Sequence, residues 1–179
     1  MSHTIREYDE VIRSCKEIFL KKTKDYGTSW RVLRPISIVD QLYIKAKRIR
    51  TIQEKRRQLV SDDIADEFRG MLNYSVIGLI QYGLGAEDTT ELPVEMVKQW
   101  YDEKIQETKA LMQAKNHDYG EAWRDMSQES FVDLILMKLM RMRQILANDG
   151  VTLISEGLDA NYRDIINYSA FALIMAEKH

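Results

Sequence analysis

The sequence has a single cysteine, Cys15, which excludes an internal disulfide and a zinc site built from thiolates. Glycine and proline are scarce, at 8 and 2 in 179 residues, so an ordered chain rich in helix and poor in loops is expected. No apolar run is long enough to cross a bilayer, and the opening Met-Ser-His-Thr-Ile-Arg-Glu-Tyr-Asp-Glu has no signal-like apolar stretch. A cytoplasmic protein with no membrane partner is the resulting expectation. Neither sign of charge dominates, since 26 basic and 28 acidic side chains leave a net charge of -2. The chain as a whole therefore has no basic footprint for nucleic acid, and any anion site must be local.

What is present is a composition 45% hydrophobic and 30% charged, enough for one packed body. It is also a sequence written twice. At an offset of 93 positions, Asp25-Tyr26-Gly27 falls on Asp118-Tyr119-Gly120 and Trp30-Arg31 on Trp123-Arg124. Ser37, Val39, Asp40, Lys45, Arg48, Arg50 and Ile52 then fall on Ser130, Val132, Asp133, Lys138, Arg141, Arg143 and Ile145. After one inserted residue, Arg69 and Asn73-Tyr74-Ser75 match Arg163 and Asn167-Tyr168-Ser169. A shared tryptophan, a shared Asp-Tyr-Gly and matched interior charges indicate duplication, which a periodic apolar pattern alone would not.

Each unit reads as three helices, so the fold class expected is all-α: two tandem three-helix repeats packed into one bundle. Residues 1–82 form the first, 83–92 the linker and 93–179 the second. First helices are predicted over residues 5–23 and roughly 93–115, with Pro93 in the first turn and Gly27 and Gly120 as left-handed stops. Second helices are predicted from serine caps at Ser37 and Ser130 to Arg57 and Asn148. Third helices are predicted from near Ser61 and Ser155 to Tyr82 and Lys178, each opening on acidic residues.

The segment Phe131–Leu146 is apolar around nearly its whole circumference, which predicts a central helix. At ~100° per residue, Asp133 and Arg141 lie about 80° apart and Lys138 about 60° beyond Arg141, so three charges share one broad face. The following helix offers partners in two stripes: Glu156, Asp159 and Arg163 in one, Asp164 and Asn167 in the other. Asn73 and Asn167 stand where a helix enters the core, and an unpaired amide there costs about 1–3 kcal/mol. Two readings stay open: an ion-pair network that only sets helix register, or carboxylates around a divalent cation with Lys138 and Arg141 on phosphate oxygens. Tyr119 and Trp123, like Tyr26 and Trp30, are by default core plugs beside a helix break, with stacking on a flat base as the alternative. Met137, Met140 and Met142 read as core filling. His117 faces Lys24 in the other copy and is no ligand candidate. The basic stretch Lys45–Arg50 reads as a solvated face.

At three segments the sequence resembles the family called nucleotide modification associated domain 1. They are Asn116-His-Asp-Tyr-Gly-Glu-Ala-Trp-Arg124, Asp133-Leu-Ile-Leu-Met-Lys138-Leu-Met-Arg141 and Ser155–Tyr168. That resemblance covers nearly the whole chain and implies a link to nucleotide metabolism. The helix pattern is also similar to the MazG-type all-α nucleoside triphosphate pyrophosphatases, which hold magnesium with an ExxE pair on one helix and an ExxD pair on the next. Glu156-Gly-Leu-Asp159 matches ExxD, while the preceding helix offers only Asp133. Copy one departs further: Gly70 replaces the counterpart of Asp164, and its acidic group is Asp62-Asp63-Ile-Ala-Asp66-Glu67. Copy two is therefore the expected working half.

Together, the resemblance and the acidic cluster facing Lys138 and Arg141 lead to the expectation of a magnesium-dependent nucleotide pyrophosphohydrolase. Glu156, Asp159 and Asp164 would be catalytic, and would hold the metal together with Asp133. Lys138, Arg141, Asn167, Tyr168, Asp118, Tyr119 and Trp123 would contact the nucleotide. The alternatives are a nucleotide-binding module without turnover and a structural helical protein. Two-fold closure of apolar helix faces makes a homodimer a further expectation.

Overall fold

A computed structural model describes residues 2–56, 63–85 and 90–177. Among them are six helices and no strand: α1 Ser2–Tyr26, α2 Pro35–Lys55, α3 Ile64–Leu84, α4 Val94–Tyr119, α5 Gln128–Ala147 and α6 Leu158–Glu177. Short 3₁₀ turns, Ser29–Val32 and Ala122–Asp125, follow α1 and α4. The same order of elements occurs twice, so the all-α class and the tandem repeat are both as expected.

The stops of α1 and α4 follow from glycine. Gly27 and Gly120 adopt φ of +62° and +60°, and their N–H groups donate to the carbonyls of Thr23 (2.7 Å) and Asn116 (2.9 Å). Several starts differ from the sequence reading. Pro35 opens α2, its fixed φ suiting the first helical position, so Ser37 lies inside the first turn and caps nothing. The cap of α5 is Ser127, whose hydroxyl accepts from the Ser130 N–H at 3.1 Å. Pro93 is itself the cap position of α4, and Asp63 caps α3 through the Ala65 N–H. The predicted ends at Arg57 and Lys178 and the start at Ser61 lie outside the described residues, as do residues 86–89 of the linker. Most consequential is α6, which begins at Leu158 and leaves Ser155 and Glu156 in the preceding loop. There the Thr152 hydroxyl donates to the Ser155 carbonyl at 2.7 Å, and Gly157 favours no helix.

The centre of the bundle is α3 against α6, the most extensively packed pair, with α2 against α5 beside it and α1 and α4 completing the body. The expectation that α5 is central is corrected. It buries Phe131, Val132, Ile135, Leu136, Leu139, Met142 and Ile145, and leaves Asp133, Met137, Met140 and Arg141 exposed. Of its three candidate core methionines only Met142 fills the core. α3 and α6 approach closely at Gly78, where a Cβ would lie 2.4 Å from the Tyr162 ring.

The two repeats are locked by reciprocal hydrogen bonds. Asn73 donates to the Cys15 carbonyl at 3.0 Å and accepts from the Tyr101 hydroxyl at 2.8 Å. Asn167 donates to the Thr108 carbonyl at 3.3 Å and accepts from the Tyr8 hydroxyl at 2.8 Å. Tyr8 and Tyr101 are themselves 93 positions apart, as are Cys15 and Thr108. Each repeat thus sends a tyrosine across to the asparagine of the other, and both amides are satisfied inside the core.

Burial pushes the Cys15 thiol up from 9.0 to about 12, and burial likewise raises the phenols of Tyr8, Tyr101 and Tyr162. All four hold their protons more tightly folded than unfolded. Their contribution is therefore intact below the unfolded pKa values and is lost as pH rises, for Cys15 from about pH 9 towards about 12. The urea midpoint should accordingly fall across that alkaline range. Cys15 should also resist a thiol reagent at about pH 8 until the chain is unfolded. Labelling of the native protein at the rate of a free thiol would contradict this burial.

Candidate functional site

In the second repeat the predicted residues separate rather than gather. Asp164, buried on α6, receives two ammoniums: Lys138 of α5 at 2.8 Å and Lys115 of α4 at 2.9 Å, one on each carboxylate oxygen. Burial works against the Lys115 cation, yet the Asp164 hydrogen bond and charge outweigh it and hold its pKa above the ordinary value. One turn on, Tyr168 is half-buried, and burial first and then Asp164 raise its phenol. Asp164 is therefore already neutralised by two partners.

The remaining carboxylates point elsewhere. Asp133 is exposed and faces Arg50 of α2 at 3.8 Å, so it does not share a face with the Lys138 head. Asp159 pairs with Arg163 at 3.4 Å, and Arg163 reaches Glu107 at 3.5 Å. Glu156 is exposed on its loop, where with Lys138 and Arg141 it borders an open groove of about 710 Å³. Among the described residues no three Asp, Glu, His or Cys side chains come together to hold a metal ion. Asp133, Glu156, Asp159 and Asp164 thus do not fit magnesium: one lies in a loop, one faces α2, one is bound by an arginine and one by two lysines.

The predicted ligand contacts divide the same way. Asn167 has both ends of its amide used inside the core. Trp123 is buried and stacked on Phe171, ring centroids 4.2 Å apart and planes 5° apart, with the Arg124 guanidinium 4.3 Å from its ring. It is a core plug. Tyr119 is 74% exposed at the end of α4, and Asp118 is exposed beside His117 at 3.1 Å.

A second cleft lies in the other repeat. Between α1, α2, α3 and the turn after α1 is a cleft of about 570 Å³. Its lining includes Tyr26, Trp30 and Tyr74 as aromatics, Lys22, Lys45 and Arg69 as cations, Asp66 and Glu67 as carboxylates, and Gly70 and Asn73. Glu67 is held by Arg48 at 3.2 Å and, at a longer 3.8 Å, by Lys45. Asp66 is held by Arg69 at 2.8 Å. Lys45 also lies 5.7 Å from the centroid of the Tyr74 ring. Sequence reasoning passes over this site because it treats Gly70 as a lost ligand. The signal is nonetheless present at the established offset, where Lys22 matches Lys115 and Trp30 matches Trp123.

The model of a family described as nucleotide modification associated domain 1 matches twice, over residues 22–82 and 115–175, more than half of the chain. The chain belongs to that family. Each matched nucleotide modification associated domain begins on one of the paired lysines, Lys22 or Lys115, and runs to the last turns of α3 or α6. The family unit therefore comprises the end of one helix, the aromatic turn and the two helices that follow it. No curated protein and no solved structure matches. The likeness to the MazG-type enzymes rests on the sequence pattern alone.

Proposed function

We propose that this member of the nucleotide modification associated domain 1 family is a nucleotide-binding module whose ligand site is the cleft of the first repeat. The observation that supports it most is the presence, around one space of about 570 Å³, of aromatic rings together with the side chains of Lys22, Lys45 and Arg69. A base takes a flat apolar wall such as Trp30 or Tyr74, and a phosphate chain takes cations such as Lys22 and Lys45. The volume lies within the range of small-molecule sites. Magnesium-dependent pyrophosphohydrolysis is the less favoured form of the same family link. It needs several carboxylates on one metal to polarise the phosphate chain and generate a nucleophile, and the second repeat disperses them.

Thermal unfolding with a panel of nucleoside triphosphates, modified bases included and a chelator present, tests this reading. A ligand at a hundred times its Kd stabilises by about 2.7 kcal/mol, roughly 5–10 °C for a chain of this size. That rise should persist in chelator and disappear in Trp30→Ala. A rise that needs magnesium, or pyrophosphate released from any triphosphate, would favour the enzyme instead. No rise across the panel would end the nucleotide assignment.

A further inference from the structure

We propose that the first repeat binds a phosphate group between the ammoniums of Lys22 and Lys45, over Gly70, where the second repeat keeps the carboxylate of Asp164. This rests on the cleft being the nucleotide site and assigns the end of it that takes the phosphates.

The template is internal to the chain. In the second repeat, Lys115 and Lys138 converge on Asp164 at 2.9 and 2.8 Å. The same positions in the first repeat are Lys22 and Lys45, which both line the cleft, and the residue in place of the carboxylate is Gly70. A Cβ built on Gly70 would lie 3.1 Å from Cε and 3.2 Å from Nζ of Lys45. The end of Lys45 therefore lies over Gly70, and it must give by a few tenths of an ångström to admit a side chain there.

The charge balance points the same way. Glu67 is nearer to Arg48 than to Lys45, and Asp66 is engaged by Arg69. Among the described residues no carboxylate lies within ion-pair distance of Lys22. Two ammoniums that line one cleft repel each other unless an anion stands between them. The second repeat supplies that anion from its own chain; in the first, a phosphate has the oxygens to span both lysines as the two oxygens of Asp164 do.

Calorimetry on the full chain in chelator, with pyrophosphate, nucleoside triphosphates and the matching nucleosides as probes, tests the site. Wild type should bind pyrophosphate and triphosphate at one site per chain, and nucleosides about tenfold or more weakly. Gly70→Asp, which installs the second repeat's carboxylate, should abolish pyrophosphate binding and reduce triphosphate binding to the nucleoside level. Its melting temperature should be kept or raised, because the second repeat folds with an aspartate there. Lys22→Met, at an exposed position that leaves the core alone, should cause the same loss. Asp164→Gly should create a second pyrophosphate site.

Pyrophosphate binding unchanged in both Gly70→Asp and Lys22→Met would overturn the phosphate site. If nucleosides and triphosphates bind alike and neither variant matters, the nucleotide cleft stands and the phosphate assignment falls. If pyrophosphate binds and both variants abolish it, while no base adds affinity, the phosphate site stands and the nucleotide reading falls. Binding of none of the probes overturns both.

Discussion

Asn167→Ala should lower the unfolding free energy by about 2–4 kcal/mol, because it strands two buried groups at once. The Tyr8 hydroxyl loses its acceptor and the Thr108 carbonyl its side-chain donor, both inside the contact between the repeats. The effect should be recognisable by its coupling. Tyr8→Phe alone leaves the Asn167 oxygen without a donor and should cost about 1 kcal/mol or more. In the Asn167→Ala background the same change removes an already stranded hydroxyl and should cost almost nothing. Urea unfolding of the four proteins measures this cycle. A single-variant cost below about 0.5 kcal/mol, or simple additivity, would mean that the crossed tyrosines do not hold the repeats together.

Trp123→Ala should be the most damaging change near either aromatic turn, costing about 3–5 kcal/mol through lost transfer energy and the cavity left behind. Its ring is 6% exposed and stacked on Phe171, and removing it empties the space under the second repeat's turn. Trp30, its counterpart, is only partly buried and borders the cleft, so Trp30→Ala should cost roughly half as much. Ligand effects should run in the opposite order. Nucleotide stabilisation should survive in whatever fraction of Trp123→Ala remains folded, and should be lost in Trp30→Ala. Equal stability costs, or ligand stabilisation lost in Trp123→Ala alone, would place the functional aromatic in the wrong repeat.

The contrast between the two tryptophans marks a wider divide between what is legible in the sequence and what is not. Helix stops at Gly27 and Gly120 are readable because a left-handed φ is a local demand that glycine meets. Duplication is readable because it is a property of the string itself. Helix starts are less so: Ser37 and Ser130 are equally good caps on paper, yet Pro35 opens the helix in one copy and Ser127, three residues before Ser130, caps it in the other. An apolar circumference does not make α5 the central helix. The longer buried runs of α3 and α6, free of charges from Gly70 to Leu84 and from Ile165 to Ala176, take the centre instead.

The site is harder to read for a different physical reason. Spacing shows which residues share a helix face, but not whether a charge on that face is already neutralised from a third helix. Lys115 on α4 is such a partner, and it converts Asp164 from a candidate ligand into one member of a closed triad. Where Asp164 has become Gly70 the same pair of lysines is left without that carboxylate, and the copy that looks degenerate holds a cleft beside them. A ligand site in a duplicated chain can therefore lie in the copy that has lost a residue.

A crystal structure of the full chain with a nucleoside triphosphate, grown in chelator, tests this assignment most directly. Electron density for a phosphate within hydrogen-bond distance of Lys22 and Lys45, with the base against Trp30 or Tyr74, is the expected result. Density for the nucleotide beside Arg141 and Glu156 in the second repeat, with the first repeat's cleft unfilled, would contradict it.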